Sequence, residues 1–186
     1  SQFYPSVVLT HGNRMCYVTT ISDSVGNQSG AIYVSNRGAY QEIALDLSLL
    51  QLPGFKNIIT AISLDNVLYS FGPSWTYRTI DNGSYPVTWP PPGLVDGRRG
   101  TQAVRGAVVS PAGTYAWVAV PGDGLYFFQG IYPSLPISYY QSDTWNRINW
   151  QVQSFIDIQD NPAIKSVYVL VALDTATTPS HMLKWD

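Results

Sequence analysis

The sequence predicts an all-β fold, a single-domain antiparallel β-sandwich or barrel of the jelly-roll type with long loops. Short runs rich in Val, Ile, Tyr, Thr and Trp are broken by Gly, Pro, Asn and Asp about every eight to twelve residues, which is typical of such folds. The hydrophobic fraction of 45% is enough for a packed core, and 186 residues are the usual size of one domain. We therefore treat residues 1–186 as one β domain.

Each predicted strand is a run of β-branched and aromatic residues that ends at a turn former. In chain order, these runs cover residues 6–10, 15–21, 31–35, 40–47, 57–63, 67–71, 74–80, 103–110, 115–120, 124–129, 137–141, 148–158, 166–173 and 181–185. The turn sequences Asn-Arg-Gly at 36–38 and Pro-Gly-Asp-Gly at 121–124 accept positive φ angles and predict hairpins. Two further turns are predicted at 81–83 and 110–113.

The helical signal is weak throughout the chain. The best candidate, residues 46–52, has room for one or two turns and ends at Pro53 and Gly54. Several hairpins share Gly and Tyr, yet we expect fewer than four propeller blades to fit in this length. The longest stretch without a strand signal is 85–102, and a loop of that length indicates a functional segment.

Charge is scarce, which limits the classes of partner. Only 12% of residues are charged, about half the average for globular proteins, and the net charge is −2. No cluster of Lys and Arg marks a phosphate-binding surface, so we expect no nucleic acid partner. The longest apolar run, 167–173, is far too short to span a bilayer, so we expect no membrane insertion. A composition rich in Ser, Thr, Asn, Gln and Tyr suits hydroxyl-rich partners.

Cysteine usage and the first residue bear on the cellular compartment. Cys16 is the single cysteine, and its strand-like neighbours predict a buried, unreactive thiol. The chain starts at Ser1 instead of Met, so we interpret it as a piece excised from a longer precursor. Asn27 and Asn82 begin glycosylation sequons, but the absence of internal disulfides favours folding in a reducing compartment. We therefore expect both asparagines to be unglycosylated.

The chemistry-bearing residues form no catalytic pattern, so we predict that the protein is not an enzyme. The chain has one glutamate, eleven aspartates, two histidines and one thiol. A glycosidase pair could be drawn from Glu42 with Asp46 or from Asp157 with Asp160. Hydrolysis of a sugar needs two carboxyl groups across a cleft, however, and surface or turn roles explain these residues better. No cofactor is predicted.

Metal binding is likewise not predicted. His11 lies in a turn and His181 near the end of the chain, so a shared site would require the two ends to meet. Asp157, Asp160 and their neighbours could offer oxygen ligands to calcium, but their spacing matches no known calcium loop. A plain turn before Pro162 explains these residues equally well.

Aromatic residues are the most prominent feature, with thirteen tyrosines and six tryptophans. One group lies close to the long loop, and a second surrounds Pro133 and Pro136. Tyr and Trp provide large rigid contact areas with a polar tip, which is typical of binding surfaces and of platforms that stack on sugars. Core packing is the alternative for aromatic residues in strand alternation. The candidate receptor or interface residues are Trp75, Tyr77, Arg78, Tyr85, Trp89, Asp96, Arg98, Arg99, Asp123 and Trp145.

With few helices, many Tyr, Trp, Gly and Pro, little charge and no disulfide, the whole chain resembles the protruding, or spike, domain of capsid proteins from small non-enveloped RNA viruses. Nodavirus-like, tetravirus-like and astrovirus-like capsids carry such domains. The segment 113–124, GTYAWVAVPGDG, resembles the style of their strands. The resemblance is one of overall character, and no receptor or catalytic residue carries over by position.

The resemblance implies a domain that attaches the virion to a host receptor, often a glycan, and that self-associates on the capsid as a dimer or trimer. It also implies a location on the virion surface after assembly in the host cytoplasm. The alternative is a secreted lectin or carbohydrate-binding module, in which loop aromatics stack on sugar rings. An oligomer favours the spike, whereas a monomer that binds free sugar favours the lectin.

Overall fold

The computed structural model describes residues 4–22, 24–44, 46–54 and 57–186. Its strands are β1 (Val7–His11), β2 (Arg14–Ser22), β3 (Gln28–Val34), β4 (Leu49–Gln51), β5 (Thr60–Leu64), β6 (Val67–Gly72), β7 (Trp75–Ile80), β8 (Gly93–Asp96), β9 (Ala107–Val109), β10 (Ala116–Val120), β11 (Gly124–Phe128), β12 (Asp157–Asn161), β13 (Ser166–Val171) and β14 (His181–Trp185). Within these ranges, helical structure is limited to one α-helical turn, α1 (Ser142–Trp145), and 3-10 turns at Pro86–Thr88, Tyr139–Gln141, Trp150–Phe155 and Pro162–Ile164. The predicted all-β class is confirmed. None of the described helices is long and apolar enough to cross a membrane.

The described strands form four antiparallel sheets, and none of them closes into a barrel. The first sheet contains β1 to β4, the second β5 to β8, the third β9 to β11 and the fourth β12 to β14. Within every sheet, hydrogen-bonded neighbours are also consecutive in the chain. Each sheet is therefore a simple meander, without the long return connection of a Greek key.

The core lies in three layers between successive sheets. One cluster of buried side chains joins the first and second sheets, another the second and third, and another the third and fourth. Members of these three clusters include Ile32 and Leu68 in the first, Phe71 and Phe128 in the second, and Trp145 and Val169 in the third. The second and third sheets are thus packed on both faces, which explains why β6 and β10 are almost uninterrupted apolar runs.

The first strand of each meander lies beside the first strand of the next. β5 contacts both β1 and β9, and β9 also contacts β12. The four described meanders therefore adjoin in chain order and pack face to face, which agrees with the predicted sandwich of antiparallel sheets. Two of them have four strands and two have three.

Several predicted elements differ from the observed ones. Residues 40–44 and 46–47 contain no strand because local turns take up backbone groups, such as Glu42 N–H donating to the Ala39 carbonyl. Residue 45 lies outside the described residues. The helical candidate at 46–52 instead contains β4, and the predicted strands at 137–141 and 148–155 are largely 3-10 turns. Conversely, β8 lies within the stretch predicted to be loop.

Cys16 is fully buried on β2, as its sequence context predicted. Burial raises the pKa of its thiol to about 12, and the nearby Asp81 carboxylate adds to the increase. A thiol with this pKa carries almost no thiolate at neutral pH, so it is unreactive.

His11 is buried at the turn between β1 and β2, where its Nδ1 lies 2.8 Å from the Ser63 hydroxyl. Its Nε2 is buried without a hydrogen-bond partner among the described residues. Burial lowers the pKa of His11. The Asp81 carboxylate opposes this shift, and the Arg14 guanidinium adds to it. The imidazole is therefore neutral in the folded protein at pH values where an unfolded histidine is already protonated.

We expect stability to fall as the pH is lowered from 7 to 5, because the unfolded chain then binds a proton that folded His11 resists. The contribution of neutral His11 to stability is complete above the pKa of about 6.5 that histidine has in the unfolded chain. It is lost as the pH falls towards the lower pKa of His11 in the folded protein. Urea unfolding midpoints at pH 7, 6 and 5 measure the effect. His11→Gln should flatten this dependence, whereas His181→Gln, at an exposed histidine, should leave it unchanged. Equal slopes in all three proteins would contradict the assignment.

Candidate functional site

Four of the ten predicted site residues are core residues. Trp75, Tyr77 and Trp89 belong to the cluster between the first and second sheets, and Trp145 to the cluster between the third and fourth. All four side chains are buried, so they offer little surface to a receptor. For these four, core packing describes the observed environment.

Two other predicted residues, Arg78 and Tyr85, are exposed but lie apart from the remaining four. Arg78 is on β7, with its side chain beside Gly93 of β8. Tyr85 lines a separate hollow together with Arg14 and Arg37. Neither residue lines the hollow that contains Asp96 and Asp123.

The last four predicted residues come together on one surface. Asp96, Arg98, Arg99 and Asp123 line an open hollow of about 640 Å³, which we call the Asp–Arg basin. The first three lie at and just after the end of β8, and Asp123 lies in the turn that joins β10 to β11. The basin therefore bridges the second and third sheets, which are packed against each other through the apolar cluster below it.

Backbone geometry holds the β8 side of the basin in place. The Asp96 Oδ1 atom accepts hydrogen bonds from the backbone N–H groups of Arg98 at 2.7 Å and Arg99 at 2.9 Å. The Arg99 carbonyl accepts a 2.8 Å bond from the Thr76 hydroxyl. Gly100 follows at a position where a Cβ atom would collide with the Gly72 carbonyl oxygen, so only glycine fits there. Asp96 thus orients the two arginines as well as contributing its own charge.

Arg99 is the fixed centre of the basin. Its Nε donates to Asp123 Oδ2 at 2.9 Å, and one terminal nitrogen lies 3.6 Å from Asp96 Oδ2. The guanidinium carbon lies 4.9 Å from the ring centroid of Tyr126 and 5.7 Å from that of Tyr132. Two carboxylates and two aromatic faces therefore determine its orientation.

The phenol beneath Arg99 is neutral at physiological pH. Burial raises the pKa of Tyr126 to about 12, and the Asp123 carboxylate adds to the increase. Tyr126 consequently supports the basin as an aromatic surface and does not supply an ionised group.

The basin combines acceptors and donors of both charges. The Asp96 and Asp123 carboxylates accept hydrogen bonds, and Arg99 donates them in a fixed direction. Within the described part of the chain, the exposed Arg98 guanidinium makes no ion pair. Such a surface can bind hydroxyl groups, and Arg98 can additionally pair with a carboxylate on a ligand.

The other acidic candidates are engaged elsewhere. Asp157 pairs with Arg105 at 2.9 Å, and Asp160 accepts a 2.8 Å bond from the Tyr115 hydroxyl. His181 Nδ1 lies beside the hydroxyl of its neighbour Ser180. In the ranges that the structure describes, no three His, Cys, Asp or Glu side chains are grouped closely enough to hold a metal ion.

A second hollow was not predicted from the sequence. It has a volume of about 350 Å³ and lies between the third and fourth sheets, with Tyr115, Trp117, Phe127 and Trp185 in its wall. Sequence alternation placed these aromatic residues in strands, where core packing was the favoured interpretation. The available signal was Tyr115 followed two residues later by Trp117, which puts two aromatic side chains on the same face of one extended segment.

Comparison with known proteins identifies no relative of this chain. No protein-family model and no curated protein sequence matches the chain. Its function is therefore inferred from the geometry of its surfaces.

Proposed function

We propose that this chain is a non-catalytic recognition domain that attaches to a receptor glycan, and that it serves as the protruding domain of a viral capsid protein. The Asp–Arg basin carries the proposal, because four of the residues selected from sequence meet there in one open hollow. Attachment through hydroxyl groups agrees with the low overall charge of the chain. The setting on a virion rests on the resemblance in sequence character.

The basin is preorganised for binding. Arg99 is held by Asp123 and Asp96 before any ligand arrives, so little side-chain entropy is lost when a hydroxyl group binds to it. Arg98 and the remaining acceptor capacity of the two carboxylates are left to contact the ligand. A glycan that presents several hydroxyl groups, or hydroxyls with one carboxylate, matches this set of donors and acceptors.

An exposed apolar segment beside the basin supports self-association. Residues 131–140 carry large exposed side chains, with Ile131 at 73% and Tyr140 at 96% relative exposure. The Ile137 N–H donates to the Leu125 carbonyl of β11, which fixes the segment next to the turn that carries Asp123. Clustered apolar residues on a surface are typical of interfaces between subunits. We propose that a second copy of the chain covers this segment in a dimer or trimer.

Light scattering at several concentrations, followed by a glycan array on the same sample, tests the proposal. We expect a dimer or trimer that dissociates on dilution, because spikes held together by a shell need only weak contacts. We also expect binding to one class of glycan. Asp123→Asn should weaken that binding at least about tenfold, a loss of about 1.4 kcal/mol, because Arg99 loses its shortest ion pair.

The matched control is Asp174→Asn, which removes an exposed aspartate that lies outside the basin. This variant should bind glycans like the unmodified protein. A monomer that binds no glycan would overturn the proposal. A strict monomer that binds one class of free sugar would instead support the second candidate, a secreted lectin or carbohydrate-binding module, which the aromatic hollow between the third and fourth sheets favours.

A further inference from the structure

The hollow between the third and fourth sheets has the size and lining of a ligand pocket. Its volume of about 350 Å³ falls within the usual range for small-molecule sites. It is lined by Tyr115, Trp117, Phe127, Ile137, Asp160, Pro162, Lys165, Ser166, Val167, Trp185 and Asp186. We call it the aromatic pocket. It shares no lining residue with the Asp–Arg basin.

One wall is a preformed aromatic surface on β10 and β11. Trp117 and Phe127 are directly opposed across the two strands, with ring centroids 5.3 Å apart. Tyr115 packs against both, at 4.7 Å from Phe127 and 5.8 Å from Trp117. Each ring is fixed by the other two, so the wall exists before a ligand binds. Unlike Tyr126 and Phe128, these three side chains remain partly exposed.

The opposite side is formed by the fourth sheet. Trp185 of β14 is paired in register with Val167 of β13, and both line the pocket. The indole N–H groups of Trp117 and Trp185 are buried without hydrogen-bond partners among the described residues. An unsatisfied buried donor costs about 1–3 kcal/mol, so each of these indole N–H groups, on residues that line the pocket, calls for an explanation.

The rim supplies polar groups of mixed type. Asp160 accepts the Tyr115 hydroxyl at 2.8 Å, and the Ser166 hydroxyl donates to Asp186. The Lys165 ammonium lines the same hollow. Carboxylates that accept, an ammonium that donates and a hydroxyl that does both are the partners that sugar hydroxyl groups require.

We propose that the aromatic pocket binds a neutral sugar ring, which stacks on the Tyr115, Trp117 and Phe127 wall while its hydroxyl groups meet the polar rim. Phosphate is disfavoured by the Asp160 and Asp186 carboxylates. A quaternary ammonium group also suits an aromatic wall beside carboxylates, but it offers no hydrogen bond to the Ser166 hydroxyl or to Lys165. The inference deepens the proposed function by adding a second carbohydrate site, and it depends on that function only for the class of ligand.

Tryptophan fluorescence titrations with glucose, galactose, mannose and N-acetylglucosamine test the inference, with choline and inorganic phosphate as probes of the other two chemistries. We expect saturable binding of at least one sugar with a Kd on the order of 1 mM or tighter. Trp185→Ala should weaken it at least about tenfold, whereas Trp185→Phe retains a ring and should weaken it less. No saturable response to any of the sugars, or a response to choline or phosphate alone, would overturn the inference.

A second measurement does not depend on the stability of a variant. In the unmodified protein, the NMR signals of the Trp117 and Trp185 indole N–H groups should shift on addition of the sugar, while the buried Trp75 indole should not. Shifts confined to other tryptophans would also overturn the inference. Asp123→Asn separates the two sites, because it should impair binding on the glycan array and leave the fluorescence titration unchanged.

Discussion

Replacement of Trp145 by alanine is expected to lower the free energy of unfolding by about 3–5 kcal/mol. The side chain is 1% exposed at the centre of the cluster between the third and fourth sheets. Its indole N–H donates to the Val120 carbonyl at 3.0 Å, and its ring contacts those of Trp150 and Trp185. Alanine would leave a large cavity, and the Val120 carbonyl would lose the indole donor and keep its 3.2 Å hydrogen bond from the Asp123 N–H. Since domains are stable by only about 5–15 kcal/mol, this one change should remove a large share of the total.

Urea unfolding followed by circular dichroism measures the loss, and the nearby Tyr140 provides a control. Tyr140 is 96% exposed, so Tyr140→Ala should change the unfolding free energy by no more than about 0.5 kcal/mol. The loss of unfolding free energy in Trp145→Phe should lie between those of Trp145→Ala and Tyr140→Ala, because phenylalanine retains a ring but cannot donate the hydrogen bond to Val120. Equal stability of Trp145→Ala and Tyr140→Ala would contradict the packing of the third sheet against the fourth.

The strands that sequence predicted best are those with two independent signals. For β10 and β11, continuous apolar runs flank a Pro-Gly-Asp-Gly turn, and the observed strands begin and end within one residue of the predicted ones. The edge strand β8 was missed because Gly93–Asp96 has little alternation and pairs with a single neighbour. Local side-chain bonds also override strand propensity, as where Asn149 accepts the Gln151 N–H and starts a 3-10 turn.

The candidate site could be predicted only in part, because aromatic residues occur both in cores and on binding surfaces. Sequence could not distinguish Trp75, which is buried, from Tyr85, which is exposed. Charged residues in turns predicted surface position more reliably. Burial of an unpaired charge is costly, so such residues are expected at the surface. Asp96 and Asp123 are far apart in the chain, and only the packing of the second sheet on the third brings them to one hollow.

Arg14 of β2 forms a buried ion pair with Asp81, which lies just after β7. The Arg14 Nε atom lies 3.3 Å from Asp81 Oδ2, and the two side chains are only 4% and 6% exposed. Arg14 also donates to the carbonyls of Ser35 at 3.0 Å and Ser84 at 2.8 Å. The pair joins the first sheet to the connection between β7 and β8 of the second sheet, and its charges are almost fully shielded from water.

Asp81→Ala is expected to lower the free energy of unfolding by about 3–5 kcal/mol, because it leaves the Arg14 guanidinium buried without its counter-ion. Arg14→Met should cost less, since Asp81 keeps a second cation, Arg37 at 3.5 Å, and a 2.6 Å hydrogen bond from the Gly83 N–H. The double variant should be more stable than the sum of the two single losses predicts, by about 1–3 kcal/mol, because neither charge is then stranded.

The exposed pair of Arg147 and Asp174 is the matched comparison, with side chains 56% and 53% exposed. Water solvates either partner when the other is removed, so Arg147→Met and Asp174→Ala should show a much smaller coupling in the same urea experiment, even though the pair makes two hydrogen bonds. Additive losses for Arg14 and Asp81 would mean that water reaches that pair as well. In that event the turn at 81–83 would not be packed against β2, and the hollow lined by Arg14, Arg37 and Tyr85 would be open to the interior of the first two sheets.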